Sequence, residues 1–433
     1  MTEAVINDLV DDLDWARAQD AADPLRALRA EFHFPKAPDG GEALYFAGHS
    51  LGLQPKRARV LVNEALDDWA THGVEGHFTG TAPWLSYHSL LTDSTARLVG
   101  AKPHEVVVMN TLTVNLHLMM ATFYRPTKER SLIVIEGGAF PSDRYAVASQ
   151  ARLHGFDPRE AVLELWPRYG EQGLRPGDLE RVLAERGKET ALVMLGVPNY
   201  LSGQALDRQR LVQLSRQHGC AVGFDLAHGV GNLKLSLHDE APDFAVWCNY
   251  KYLNAGPGGL GGVFVHERHG ADPSLNRLAG WWGHQEETRF QMGPDFAPAR
   301  GAEGWQISNP PILQLAALRA SMELYDRAGM DALRARGDRL TAYLQWLLDR
   351  LPVGCITQWT PRDPAARGSM LTLQIASGRA KALVDYLLQH GAIVDLRNPD
   401  IVRIAPSPLY GSMADVQRLA ALLQAFFAEA ARG

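Results

Sequence analysis

The chain has 433 residues, with 43 Lys plus Arg against 49 Asp plus Glu, a net charge of −6; 46% of it is hydrophobic and 21% charged. This balance excludes a nucleic-acid binder and a membrane-surface protein, and at roughly 150 residues per domain the length suits two or three domains around a sizeable core. Cys220, Cys248 and Cys355 form no C-x-x-C pair, which speaks against a disulfide framework or a zinc ribbon.

The start is acidic at Glu3, Asp8, Asp11 and Asp12, where a signal peptide would be basic. No apolar run reaches the ~18 residues that span a bilayer, so a cytoplasmic protein is expected. Residues 1–44 read as an amphipathic helical arm, with Val10, Leu13, Trp15, Leu25 and Leu28 on its apolar side.

Residues 45–309 read as a large domain. Between about Glu105 and Val265 short apolar runs alternate with turns and helical stretches, the rhythm of an α/β fold built on a mainly parallel sheet. The runs are Val106 to Met109, Leu132 to Ile135, Leu192 to Leu195, Ala221 to Phe224 and Phe244 to Cys248. Continuous apolar runs fit strands covered on both faces, and ligands of such sheets sit beyond the strands' carboxyl ends. After Asn309-Pro310-Pro311 the texture changes to two helices, 312–325 and 330–351, with short strands near 371–373, 392–394 and 402–404. Residues 310–433 therefore read as a smaller C-terminal α+β domain, its junction marked by the prolines.

Two motifs mislead. Gly256 to Gly261 matches G-x-G-x-x-G, yet a strand follows it where a dinucleotide site would open a helix. His266-Glu267-Arg268-His269 lacks the spacing of a zinc motif, and no metal is expected.

The strand ends carry the chemistry. Asp225 follows one strand and Lys251 the next, 26 residues on. Pyridoxal phosphate requires this pair: an amine to bond its aldehyde as a Schiff base, and a carboxylate to keep its pyridine nitrogen protonated. A strand-end Asp also serves as a helix cap and a Lys as a solvated surface group. Here Lys251 lies between aromatic residues and Gly256-Pro257-Gly258-Gly259, a place suited to close approach of backbone to a ligand. Thr111 or Thr113, at a predicted helix start, could hold an anion or merely cap the helix. Phe140 could stack on a planar ring or fill core.

The motifs Tyr45 to Pro55, Phe140-Pro141-Ser142-Asp143, Gly223 to His228, Tyr250 to Gly256, Gly280-Trp281-Trp282-Gly283-His284 and Ile307 to Pro311 together resemble the kynureninase family, over a stretch running from about Tyr45 to the end. The resemblance implies a fold-type I pyridoxal-phosphate enzyme, a homodimer with active sites at the subunit interface. Its reaction would be hydrolysis of L-kynurenine, and of the 3-hydroxy form, to anthranilate or 3-hydroxyanthranilate and L-alanine, in tryptophan breakdown or NAD biosynthesis. By the same resemblance Lys251 is the Schiff-base lysine, Asp225 the partner of the ring nitrogen and His228 a neighbouring cofactor contact. Leu112, Thr113 and Tyr250 would meet the phosphate, with Trp281 and Asn309 reaching in from the partner subunit. Phe140, with Pro141 and Ser142, would lie over the ring, and Asp143 would anchor that face. Arg403 would receive the substrate carboxylate, while Ser50, His77, His284, Ser308 and Asn309 would shape the substrate pocket.

Two positions depart from the family pattern: His49 stands where Asn is usual, and Gly196 where a hydroxyl residue often touches the cofactor. Tyr250 is expected either to shuttle a proton or only to bond the phosphate. For Arg403 the alternative is an internal ion pair with Asp395. The rival functions are a cysteine desulfurase, which needs a reactive thiolate near the cofactor, and a pyridoxal-phosphate-binding protein without catalysis.

Overall fold

A computed structural model describes residues 9–430; the acidic residues Glu3 and Asp8 lie outside the described residues. The large sheet has seven strands: β1 Val106–Met109, β2 Leu132–Glu136, β3 Val162–Leu165, β4 Thr190–Gly196, β5 Ala221–Asp225, β6 Phe244–Cys248 and β7 Gly261–Val265. Their order is β1-β7-β6-β5-β4-β2-β3. The run from β6 to β3 is parallel, and β7 is antiparallel to both β1 and β6. The five expected runs are all strands of this sheet, and β1, β2 and β6 are buried along their whole length. The expectation missed β3, an edge strand whose Val162, Leu163 and Glu164 are only half-buried. A charged residue in a half-wet edge strand breaks the apolar run that betrays a central one.

The N-terminal arm is less helical than expected. Among its described residues only α1 Leu13–Ala22 and a 3₁₀ turn at Arg26–Glu31 are helical, and Phe32–His33 pairs as a short antiparallel strand with Gln54–Pro55. Further helices are α2 Lys56–His72, α3 Leu112–Phe123, α4 Pro141–Leu153, α5 Ile312–Ala328, α6 Met330–Leu348 and α7 Met413–Ala430.

The smaller sheet is antiparallel, with β9 Leu371–Ile375 and β11 Ile401–Ile404 at its centre, β8 Ile356–Gln358 beside β9 and β10 Asp395–Arg397 beside β11. Ala392–Ile393 stands apart from it and pairs in parallel with Leu44–Tyr45. The strand expected at 392–394 therefore joins the two ends of the chain.

Packing shifts the change of core past Pro311. The buried face of α5, including Leu315, Leu318, Met322 and Tyr325, belongs to the core of the large domain. Along α6 the allegiance changes: Leu333 lies in that core, while Leu340, Tyr343, Leu344 and Leu347 lie in the core of the small domain. The prolines punctuate a helix start and not the seam.

The arm spans both cores: Leu28 and Phe32 lie in that of the large domain, while α1 packs on the small domain. Ala16 is buried in its core, and the Asp20 carboxylate accepts the Met413 and Ala414 N–H groups at 2.7 and 2.9 Å, capping the start of α7. Asp23 pairs with Arg336 of α6 at 2.6 Å, both side chains 5% exposed, and Arg336 also donates to the Pro408 carbonyl at 2.6 Å. Removing one partner of such a pair strands the other charge in the interior. Asp23→Ala should therefore cost about 3 to 5 kcal/mol of stability, read as a lowered denaturant midpoint; a midpoint within error of the parent would mean that the arm does not hold the small domain.

Candidate active site

The chain reverses from β1 into α3 at Asn110, whose φ of 46° is the left-handed conformation that Asn tolerates. Its side chain donates to Asn115 Oδ1 at 3.0 Å, and Asn115 donates to the Met109 carbonyl at 2.8 Å, so strand end and helix start are fixed together. Leu112 and Thr113 are the first residues of α3, and Pro141, Ser142 and Asp143 the first of α4. The Thr113 and Ser142 hydroxyls meet at 2.7 Å, which brings two helix N-termini side by side. Their unpaired N–H groups and positive dipole ends suit a phosphate. Thr111 is the N-cap of α3 but makes no side-chain capping bond.

Asp225 ends β5 and is buried; its Oδ1 accepts the Ala227 N–H at 2.7 Å. Lys251 follows β6, and its Nζ lies 3.1 Å from His228 Nε2, with the Phe140 and Tyr250 ring centres 6.0 and 5.9 Å away. Phe140, Asp143, Asp225 and His228 border one small cavity together with Glu136, Gly196, Pro198, Tyr200 and Ala227. Sequence separations of more than eighty residues thus close onto a single point beyond the carboxyl ends of β2, β4 and β5.

The electrostatics are those of a desolvated site. Burial raises the pKa of Asp225, and burial together with the Asp225 charge raises that of Asp143. The two carboxyl groups face each other closely enough that the charge on one disfavours ionisation of the other. Burial, with nearby positive charge, pushes the His228 imidazole well below its ordinary value, so it is neutral, its Nε2 facing Lys251 Nζ. Burial raises the Tyr250 phenol further above its already high value, which keeps its proton in place at neutral pH.

The loop from Gly48 to Gly52 lies directly on the lysine turn. Gly52 N–H donates to the Tyr250 carbonyl at 2.9 Å, and a Cβ at Gly52 would stand 2.3 Å from the Lys251 carbonyl oxygen. At Gly48 a Cβ would stand 2.3 Å from the Tyr410 hydroxyl. Both glycines are required by close packing. Between them His49 is fully buried, with neither ring nitrogen hydrogen-bonded and Nε2 3.9 Å from Asp395. Burial pulls its pKa down to about 4.

Arg403 stands opposite Asp395 across β10 and β11 and opposite Thr372 across β9 and β11. Its Nε and Nη2 donate to Asp395 Oδ2 at 2.7 and 2.6 Å, and Nη1 to the Tyr200 carbonyl at 2.6 Å. The ion pair with Asp395 therefore forms, and the Tyr200 contact ties Arg403 to a residue of the cavity wall.

Five expected pocket residues do not gather at this cavity. Trp281, Ser308 and Asn309 are exposed, His77 is held by its own turn through the Val74 carbonyl, and His284 is bonded to Thr288 Oγ1 at 2.8 Å. Ser50, half-buried, sits in the Gly48 to Gly52 loop. Sequence reasoning missed Glu136 and Tyr200, both on the cavity wall. Glu136 was legible as the residue closing an apolar run; Tyr200 carried no signal beyond its nearness to Gly196. The one candidate metal cluster among the described residues, Glu105 with His238 and His266, lies elsewhere, and its carboxylate already accepts the Lys102 and Glu267 N–H groups.

The residues fit pyridoxal phosphate. Asp143 Oδ1 and His228 Nδ1 are buried without hydrogen-bond partners, two polar atoms that need a ligand at this cleft, and the Lys251 amino group lies 3.1 Å from the other nitrogen of the same imidazole. Cys248 is 3% exposed, and burial raises the pKa of all three thiols, which leaves no reactive thiolate for the desulfurase reading.

The fold is that of the fold-type I pyridoxal-phosphate enzymes. It superposes on the cystine C-S lyase C-DES, in a mutant with glycine covalently linked to the cofactor, with a TM-score of 0.76 at 18% identity, covering 92% of this chain and 98% of that one. It superposes on a cysteine desulfurase from Thermococcus onnurineus NA1 with a TM-score of 0.75 at 16% identity, covering 93% and 98%. Sequence is more specific. The kynureninase of Myxococcus xanthus is 60% identical over 96% of this chain and 97% of its own length, and that of Koribacter versatilis 54% identical over 94% and 95%. Residues 333–423 match the family model of the kynureninase C-terminal domain. The chain belongs to the kynureninase family.

Borohydride reduction of the protein loaded with pyridoxal phosphate, followed by peptide mapping, should place the cofactor on Lys251. Recovery on any other lysine would overturn the site.

Proposed function

We propose that this cleft hydrolyses L-kynurenine, and its 3-hydroxy form, to anthranilate or 3-hydroxyanthranilate and L-alanine. The observation that carries the reading is the convergence of Asp225 and His228 on one small cavity, with Lys251 Nζ 3.1 Å from the His228 ring, in a chain of the kynureninase family. When bound, pyridoxal phosphate supplies an electron-poor ring that takes up the charge left at Cα.

Each nearby side chain has work that follows from its surroundings. Lys251 Nζ, steadied by the neutral His228, takes the proton from Cα. Asp225 holds the proton on the ring nitrogen, each unit of pKa shift there corresponding to ~1.4 kcal/mol. Leu112, Thr113 and Tyr250 would hold the phosphate, the first two through the helix start, and Phe140, Pro141, Ser142 and Asp143 would hold the ring. Tyr250 keeps its phenolic proton and can lend it when water attacks the aryl ketone and the bond between Cβ and Cγ breaks. Arg403 binds the α-carboxylate.

The second subunit completes the site in this reading. Trp281, Ser308 and Asn309 are exposed in the single chain, and the segments carrying them and His77 also expose Val74, Phe78, Phe290 and Met292. Apolar surface of this kind on a folded chain marks an interface, so His77, His284, Ser308 and Asn309 shape the pocket of a homodimer. No described helix is long and apolar enough to cross a membrane, which agrees with a cytoplasmic enzyme of tryptophan breakdown or NAD biosynthesis.

Two variants test the assignment. Asp225→Ala should keep the bound cofactor but lose most turnover; near-normal turnover in the folded variant would remove Asp225 from the chemistry. Arg403→Lys keeps the charge and loses the fork. Since a charged hydrogen bond contributes roughly 1.5 to 3 kcal/mol, KM for kynurenine should rise about tenfold or more with unchanged cofactor absorbance. An unaltered KM, or an unfolded small domain, would make the Asp395 ion pair the whole purpose of Arg403.

A further inference from the structure

Glu136 closes β2 and is 6% exposed. Its Oε2 accepts the Gly196 N–H at 2.9 Å, and Gly196 is the residue of β4 that pairs with Asp225 on β5. Glu136 is thus bonded to the backbone that flanks the acid expected to meet the ring nitrogen. Its other oxygen fills the space beside that backbone: a Cβ on Gly196 would lie 2.6 Å from Oε1, closer than real Cβ atoms come. Gly196 is absent from the positive-φ glycines, so volume and not backbone freedom demands a glycine here.

The same carboxyl group is a partition. On one side it borders the cavity of Phe140, Asp143, Asp225 and His228; on the other it borders a cavity of about 290 Å³ lined also by Trp166, Asn199 and Trp359. Burial, with the nearby Asp225 charge, raises its pKa to about 7. A further full negative charge beside the Asp143 and Asp225 pair is therefore disfavoured, and a neutral carboxyl group can donate as well as accept.

We propose that Glu136 is a positioning residue of the cofactor site, whose carboxyl group takes the place of a side chain at position 196 and fixes the strand end beside Asp225. The proposal rests on the reading of this cleft as a pyridoxal phosphate site. It makes positions 136 and 196 a reciprocal pair, since either can present a polar side chain to the cavity but not both.

The experiment is the affinity of the cofactor-free protein for pyridoxal phosphate, followed by protein fluorescence, in the parent, Glu136→Ala, Glu136→Gln, Gly196→Ser and the double variant Glu136→Ala with Gly196→Ser. Glu136→Ala should weaken binding about tenfold, the effect of one lost buried polar contact, while Glu136→Gln stays within about threefold. Gly196→Ser alone should weaken binding at least about tenfold, because hydroxymethyl and carboxyl compete for one space. The double variant should recover most of the loss while its melting temperature without cofactor matches that of Glu136→Ala. A merely structural role would lower that melting temperature and give no rescue. Parent-like binding by Glu136→Ala, or a double variant whose loss is the product of the two single losses, would overturn the proposal. Should Glu136→Ala not fold, parent-like binding by Gly196→Ser would overturn it equally. Failure of the parent itself to take up pyridoxal phosphate would instead defeat the reading of the whole cleft.

Discussion

A carboxylate buried at the end of a central strand is the constraint on which this molecule depends. Asp225 lies mid-sheet, between β4 and β6, where water cannot reach to solvate it. A lone ionised group in such a place costs several kcal/mol. The fold answers with the Ala227 N–H and with the Asp143 carboxyl group and the Lys251 side chain nearby. These partners are half-measures. A pair of buried acids beside a lysine and a neutral imidazole is an arrangement that a protonated pyridine nitrogen would stabilise, so the energetic cost of these groups is also their affinity for the cofactor. A strand end that was fully satisfied by protein groups would have little to offer a ligand.

The geometry that imposes this constraint was largely legible in the sequence. Apolar runs unbroken by charge identify buried parallel strands, and chemistry at their carboxyl ends follows from the architecture, which is how Asp225 and Lys251 stood out. What was hidden depends on partners distant along the chain. β3 escaped because an edge strand can carry Glu164, which pairs with Arg144 at 2.7 Å. The seam between the domains escaped because α6 carries a single apolar face through two cores, and nothing local reports that the neighbours change. Gly48 and Gly52 could be seen as a motif, but their reason, contact with Tyr410 and with the Lys251 carbonyl, lies hundreds of residues away. Gly196 looked like the loss of a polar contact until Glu136, sixty residues earlier, was found bonded to its N–H.

The pairing of Arg403 shows why two sequence readings that seemed exclusive are compatible. Asp395 accepts from Arg403 and also from Arg397, at 3.0 Å. Within this group one carboxylate faces two guanidinium groups, and His49 adds no charge because burial keeps it neutral. The sum is one uncompensated positive charge at the edge of the cleft. Arg403 is 1% exposed, so that excess is poorly screened by water, and salt bridging to Asp395 orients the guanidinium without neutralising the site. On the proposed function, an incoming α-carboxylate would restore the balance. An Asn at position 49, the residue usual in the family, would be neutral as well, so the histidine found here leaves the charge count intact while filling a larger buried volume against His228, whose ring centre is 6.3 Å away. On the proposed function, discrimination at this end of the pocket would rest on charge from the arginines and on shape from His49, and a substrate lacking the carboxylate would leave the charge unmet.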